Sequence, residues 1–219
     1  VHHVRSNLDR DGLSLAEAQQ EGAHIYIPED ATPRPEYGTP SFERDITVPD
    51  RVRLHCEHLV NLLRIYGRME KTIVYCVSQD HALEVVKYLN LLNSDINIPD
   101  YAVRIVSEEA TAQSDLERFT AVERPTPVVA VTVDLLTTGV DAPSVRNIVF
   151  LRTIASPTVF KQIVGRGARL CEDTDKYWFR IIDYTGATAL FDEWDRPTEP
   201  PDNKVQTAGP GVCGLAGRV

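Results

Sequence analysis

The chain has 219 residues and a mass of 24.5 kDa, which at about 150 residues per domain allows one domain with appendages. Hydrophobic residues make up 42% and charged residues 25%, ordinary globular usage that excludes wholesale disorder. With 23 Lys and Arg against 32 Asp and Glu, the net charge of −9 excludes a generically basic nucleic-acid coat. A local cationic groove stays open, because net charge averages over faces.

Residues 1–45 are polar and weakly patterned, with Pro33, Pro35, Gly38 and Pro40 breaking regular structure. A helical turn or two at 13–18 and a short strand at 24–28 are expected within an otherwise irregular N-terminal arm or linker that ends near Asp45. The start at Val1 is neither a signal peptide nor a Met start, so the chain reads as a piece of something longer.

Residues 46–195 carry the fold. Val52, Cys56, Leu59, Val60, Leu63 and Tyr66 recur at a helical period and predict a helix over 49–68. A short apolar run rich in β-branched residues at 72–77 predicts a strand, and Ser78 or Asp80 can cap a helix over 81–92. Further strands are expected at 101–106, 127–133, 146–151 and 177–184, with helices at 114–121 and 157–165. Five short apolar strands alternating with helices predict an α/β fold, a parallel sheet covered on both faces. Ligands on such sheets bind at the carboxyl ends of the strands, so the loops after Val77, Val133 and Leu151 are the ones to inspect. Residues 196–219, rich in Pro and Gly, read as a linker or tail.

Three of these loops carry candidate chemistry. Residues 132–143 offer Thr132, Thr137, Thr138 and Gly139 for phosphate oxygens and Asp141 for a ribose hydroxyl or an arginine; the alternative is a plain strand-to-helix turn with capping threonines. In 162–170, Gln162 and Arg166 share a helical face and Arg166 neighbours Arg169, two forked guanidiniums suited to a phosphoryl group, with flanking glycines that let an anion approach. The alternative is a solvated helix end. Ser78 stands before a helix amino terminus, which attracts anions, or simply caps it. The histidines show no metal spacing with an acid partner, and Cys56, Cys76, Cys171 and Cys213 form no C-x-x-C pair, so neither a zinc site nor a disulfide framework is indicated, and the chain fits a reducing cytoplasm. No apolar run reaches the roughly 18 residues of a membrane span.

In this order and at these separations the loops resemble the second RecA-like lobe of superfamily two helicases and translocases. Ile73-Val74-Tyr75-Cys76 is similar to motif IV, residues 132–141 to motif V with its closing Gly-[Ile/Val]-Asp, and residues 162–169 to motif VI, Q-x-x-G-R-x-x-R. Residues 71–76, 135–143 and 160–170, with 181–188 and Phe191 behind them, resemble the R subunit of type I restriction enzymes. The resemblance implies a RecA-like helicase C-terminal lobe in which Arg166 and Arg169 are arginine fingers reaching ATP and Mg2+ held mainly by a first lobe. It implies that Gly139, Asp141 and Gln162 face the nucleotide and that Ser78, Thr132 and Thr138 face the DNA backbone. Its partners would be double-stranded DNA, the first RecA-like lobe of the same chain, and the modification and specificity subunits, in the prokaryotic cytoplasm and with no membrane. Arg104, Arg152 and Lys161 are the candidate cations of a DNA groove, or else ordinary surface charges. Neither the phosphate loop, the acidic magnesium box nor a nuclease Asp/Glu-x-Lys site is present, so the chain alone is expected to be inactive. The alternatives are another superfamily two motor, of type III restriction or repair, or a non-catalytic binding module.

Overall fold

The computed structural model describes residues 1–29, 31–134 and 142–194. Its centre is a six-stranded sheet built from β1 (His2–His3), β4 (Thr72–Tyr75), β5 (Ala102–Arg104), β6 (Val129–Thr132), β7 (Asn147–Phe150) and β8 (Arg180–Asp183). The order across the sheet is β1-β8-β7-β4-β6-β5, and every pairing is parallel. The inner strands are buried on both faces, which explains why they read as continuous β-branched runs instead of alternating ones.

The pleat sorts their side chains between two cores. Val74, Cys76, Val129, Val131, Val149 and Ile182 point to one face. That face is covered by α3 (Pro49–Tyr66), through Val52, Cys56, Leu59, Val60 and Leu63, and by α4 (Gln79–Leu92), through Ala82, Val85 and Leu89. Ile73, Tyr75, Ala130, Ile148, Phe150 and Ile181 point to the other. There α5 (Ala112–Thr120) contributes Leu116 and Phe119, and α6 (Pro157–Gly167) contributes Phe160, Ile163 and Val164. The expected doubly covered parallel sheet is therefore the observed one. Among the described residues no helix is long and apolar enough to cross a membrane.

The first 45 residues hold more order than their sequence suggests. His2 and His3 add the sixth strand, in register with Ile182 and Asp183. Two short helices follow, α1 (Asn7–Asp11) and α2 (Leu15–Gln20), and β2 (Leu13–Ser14) pairs antiparallel with β3 (Glu36–Tyr37). Leu13, Ala18, Tyr37, Phe42, Ile46 and Val48 close a small third core. The strand expected at 24–28 is reduced to a single bridge between Tyr26 and Thr47. Elements two residues long carry no periodicity, so only their partners reveal them. The strand expected at 177–184 starts at Arg180, and the helix expected at 157–165 runs on to Gly167.

Candidate functional site

All inner strands end on one edge of the sheet, at Tyr75, Thr132, Phe150 and Asp183. This edge is held by polar groups that the chain supplies to itself. The Ser78 hydroxyl accepts the His81 N–H at 3.1 Å and so caps α4. Thr132 is fully buried, and its hydroxyl accepts the Asp134 N–H at 3.2 Å, turning the chain out of β6. Arg152, two residues beyond β7, donates to the Val133 carbonyl at 2.6 Å and ties the exits of β6 and β7 together. The buried Asp183 carboxylate accepts the backbone N–H groups of Thr185, Gly186, Ala187 and Thr188 and the Thr188 hydroxyl, which fixes the turn after β8.

The second part of the site is α6. Ser156 caps it by accepting the Val159 N–H at 3.4 Å, and Pro157 opens it. Gln162 is exposed and Arg166 half-buried, one turn apart on one face, and Arg169 is exposed just past the helix end. Arg166 and Arg152 lie within electrostatic reach of the Tyr75 hydroxyl at the end of β4. Burial raises that hydroxyl well above the usual tyrosine range, and the two guanidiniums only partly offset the shift, so it stays a neutral O–H. The guanidiniums of Arg152 and Arg166 offer donors only. They fit the phosphates of a nucleotide, whereas among the described residues no cluster of three or more His, Cys, Asp and Glu could hold a metal ion.

Thr138, Gly139 and Asp141 lie outside the described residues. Of the candidate groove cations, Arg104 is paired with Glu109 and donates to the Gln79 carbonyl, Arg152 is engaged as above, and Lys161 stands 5.6 Å over the Trp194 ring. Arg104 is thus largely neutralised. The two glycines beside Arg166 differ, against the expectation that both open a path for an anion. A Cβ on Gly165 would meet nothing within 4 Å, but one on Gly167 would stand 2.6 Å from Ile148 Cδ1 and 2.8 Å from Phe179 Cδ2. Gly167 is glycine because the helix lies against the sheet there. Sequence reasoning missed Asp183 and Lys176 as ordering groups. Asp183 had a signal, an Asp two residues before Thr-Gly at a strand end, which is an Asx-turn pattern. Lys176, in a polar loop, had none.

Residues 54–171 match the helicase conserved C-terminal domain, more than half of the chain. The chain belongs to that family. It is 36% identical over 157 residues to the type I restriction enzyme EcoAI endonuclease subunit of Escherichia coli, and 37% identical over 150 residues to the EcoKI endonuclease subunit of E. coli strain K12. These matches cover 71% and 65% of this chain but 19% and 12% of the two relatives. A fragment assigned as the HsdR subunit of a type I restriction enzyme from Vibrio vulnificus YJ016 superposes with a TM-score of 0.62 at 46% identity, over 68% of this chain and 29% of that one. This chain is therefore a RecA-like helicase C-terminal lobe, similar to the lobe of type I restriction R subunits, and α6 spans most of the residues read above as motif VI.

Proposed function

We propose that this lobe is the second half of an ATP-driven motor on double-stranded DNA, within a type I restriction subunit that cleaves after translocation. The observation that carries the reading is α6, which sets Gln162 and Arg166 on one face and leaves Arg169 just beyond, with Arg166 near the strand ends. A guanidinium near the strand ends, with a second three residues on, suits the charge that develops on a transferring phosphoryl group. ATP with Mg2+, held mainly by the first lobe of the same polypeptide, supplies the phosphoryl group and its neutralising cation. The work of this chain is to bring Arg166 and Arg169 to the γ-phosphate oxygens as the lobes close, with Gln162, Gly139 and Asp141 at the same cleft. Ser78, Thr132 and Thr138 belong to the DNA-facing edge. The buried Thr132 acts there by shaping the turn, not by touching phosphate. The backbone contacts of a motor are independent of sequence, so recognition falls to the specificity subunit and methylation to the modification subunit, in the cytoplasm of a prokaryote.

The test is steady-state ATP turnover of the full-length subunit, assembled with its partners and DNA, in wild type, Arg166→Ala and Arg169→Ala. Loss of such a finger costs about 10³–10⁵ in rate where it acts. A fall of at least about a hundredfold with nucleotide binding retained is expected for Arg166→Ala. Unchanged turnover in both variants would overturn the reading and leave a binding module.

A further inference from the structure

Lys176 is an unusual residue for a loop. It is 1% exposed and lies between α6 and β8, at the end of a turn formed by residues 171–176. Cys171 and Lys176 exchange both backbone hydrogen bonds, at 3.1 and 2.9 Å, and Asp175 takes a left-handed φ of 49°. That geometry turns the Lys176 side chain inward. Its ammonium donates to the carbonyls of Pro143 at 2.8 Å, Gly167 at 2.8 Å and Arg169 at 2.6 Å. The hydrogens of an ammonium are thereby matched one to one with carbonyl oxygens.

A buried ammonium is a costly way to hold a turn, since an apolar side chain of the same length would fill the space without desolvating a charge. The acceptors explain its presence. Gly167 closes α6, where carbonyls lack helical partners and the macrodipole is negative, so a cation is favoured there. Arg169 is itself one of the two fingers, and its own carbonyl is gripped. Pro143 stands two residues beyond Asp141, at the end of the stretch that carries Gly139 and Asp141. One atom therefore links the backbone on both sides of Ala168 to the segment that follows the nucleotide-facing loop.

We infer that Lys176 is a positioning residue for the two arginines, fixing the peptide units from which Arg166 and Arg169 reach the nucleotide. The inference rests on the motor function proposed above. Arg146 provides the control. Its guanidinium donates to the Thr174 and Asp175 carbonyls of the same turn, at 2.6 and 3.1 Å, and donates to neither α6 nor Arg169. Arg146→Ala removes the two bonds to the Thr174 and Asp175 carbonyls and none of the three that the Lys176 ammonium makes.

The experiment measures kcat and KM for ATP, with DNA present, in the assembled full-length enzyme carrying Lys176→Met, Arg146→Ala or Arg166→Ala, with a melting curve for each. Displacing a catalytic group by an ångström can cost about a hundredfold. Lys176→Met is accordingly expected to lower kcat about 10–100-fold with KM changed by less than about threefold, below its melting transition. Arg146→Ala is expected to keep kcat within about twofold while lowering Tm. Where methionine does not fold, Lys176→Gln, which keeps two donors in place of three, is judged by the same split. Wild-type kcat in Lys176→Met, or kcat lost in parallel with Tm in both turn variants, would overturn the inference. Collapse of Arg166→Ala with Lys176→Met intact would overturn it alone; full turnover in Arg166→Ala would overturn the motor reading and this inference with it.

Discussion

At the scale of the residue, Gly165 and Gly167 show how little a letter reveals about its reason. Both sit in the last turn of α6, on either side of Arg166. Gly165 faces open space, so Gly165→Ala adds helix propensity and is expected to stabilise by up to about 1 kcal/mol. Gly167→Ala would push a methyl into Ile148 and Phe179 and is expected to destabilise by about 1–3 kcal/mol. Denaturant unfolding of the two variants checks this, and shifts of the same sign would contradict the packing argument. From the sequence, G-R-G-x-R made both glycines look like clearance for an anion. Arg166 and Gln162 were legible because i, i+4 spacing on a helix needs no tertiary information. The buried Asp183 turn is legible in the local pattern of an Asp two residues before Thr-Gly.

At the scale of the element, α3 was the clearest reading and still held a surprise. Its apolar positions predicted the buried face. Its N-terminal turn also buries Arg51, whose guanidinium lies 2.7 Å from Asp9 and 3.5 Å from Glu43. One cation cannot fully compensate two buried carboxylates. Burial raises both, but His55, Arg51 and Ser6 more than offset this for Asp9, which stays below the usual carboxylate range. For Glu43 burial wins over Arg51, and its pKa is pushed up to about 7. A raised carboxylate pKa means that its contribution is full below the unfolded value of 4.5 and is lost as pH rises to about 7. His81 works in the opposite sense. Burial lowers its pKa to about 3, so its contribution is full above 6.5 and is lost as pH falls towards 3. Glu43→Gln, which keeps the neutral shape, is expected to be more stable than wild type by about 1–3 kcal/mol at pH 8, and by much less at pH 4.5. Unfolding titrations at the two pH values decide it; an equal difference at both would show that Glu43 does not titrate as argued. None of this was visible in the arm's sequence, because Asp9 and Arg51 are 42 residues apart and the elements between them are too short to show a period.

At the scale of the whole molecule, the proposed fingers stand in a sequence that has no G-x-x-x-x-G-K-[S/T] phosphate loop. Phosphoryl transfer needs the nucleotide's phosphates and metal held on one side while the finger arrives from the other. The 219-residue chain by itself is therefore expected to show no DNA-stimulated ATP turnover, and the full-length subunit to show it. Turnover by the isolated chain, sensitive to Arg166→Ala, would mean that the cradle lies within it. What the sequence determined by itself was the layered α/β architecture and the order of its loops. A parallel strand buried on both faces must be apolar throughout, and a covering helix must be apolar at every third or fourth residue, so both are written locally. The same holds for the spacing of Gln162 and Arg166, which is one turn of a single helix. Only the tertiary structure decided that His2–His3 completes the sheet, that Gly167 is a packing residue, that Arg51 is shared by two acids, and that Lys176 holds Arg169 together with Pro143, which lies 33 residues before the lysine. Those contacts join segments whose separation follows no period, and a buried charge looks in sequence like any charge on a surface.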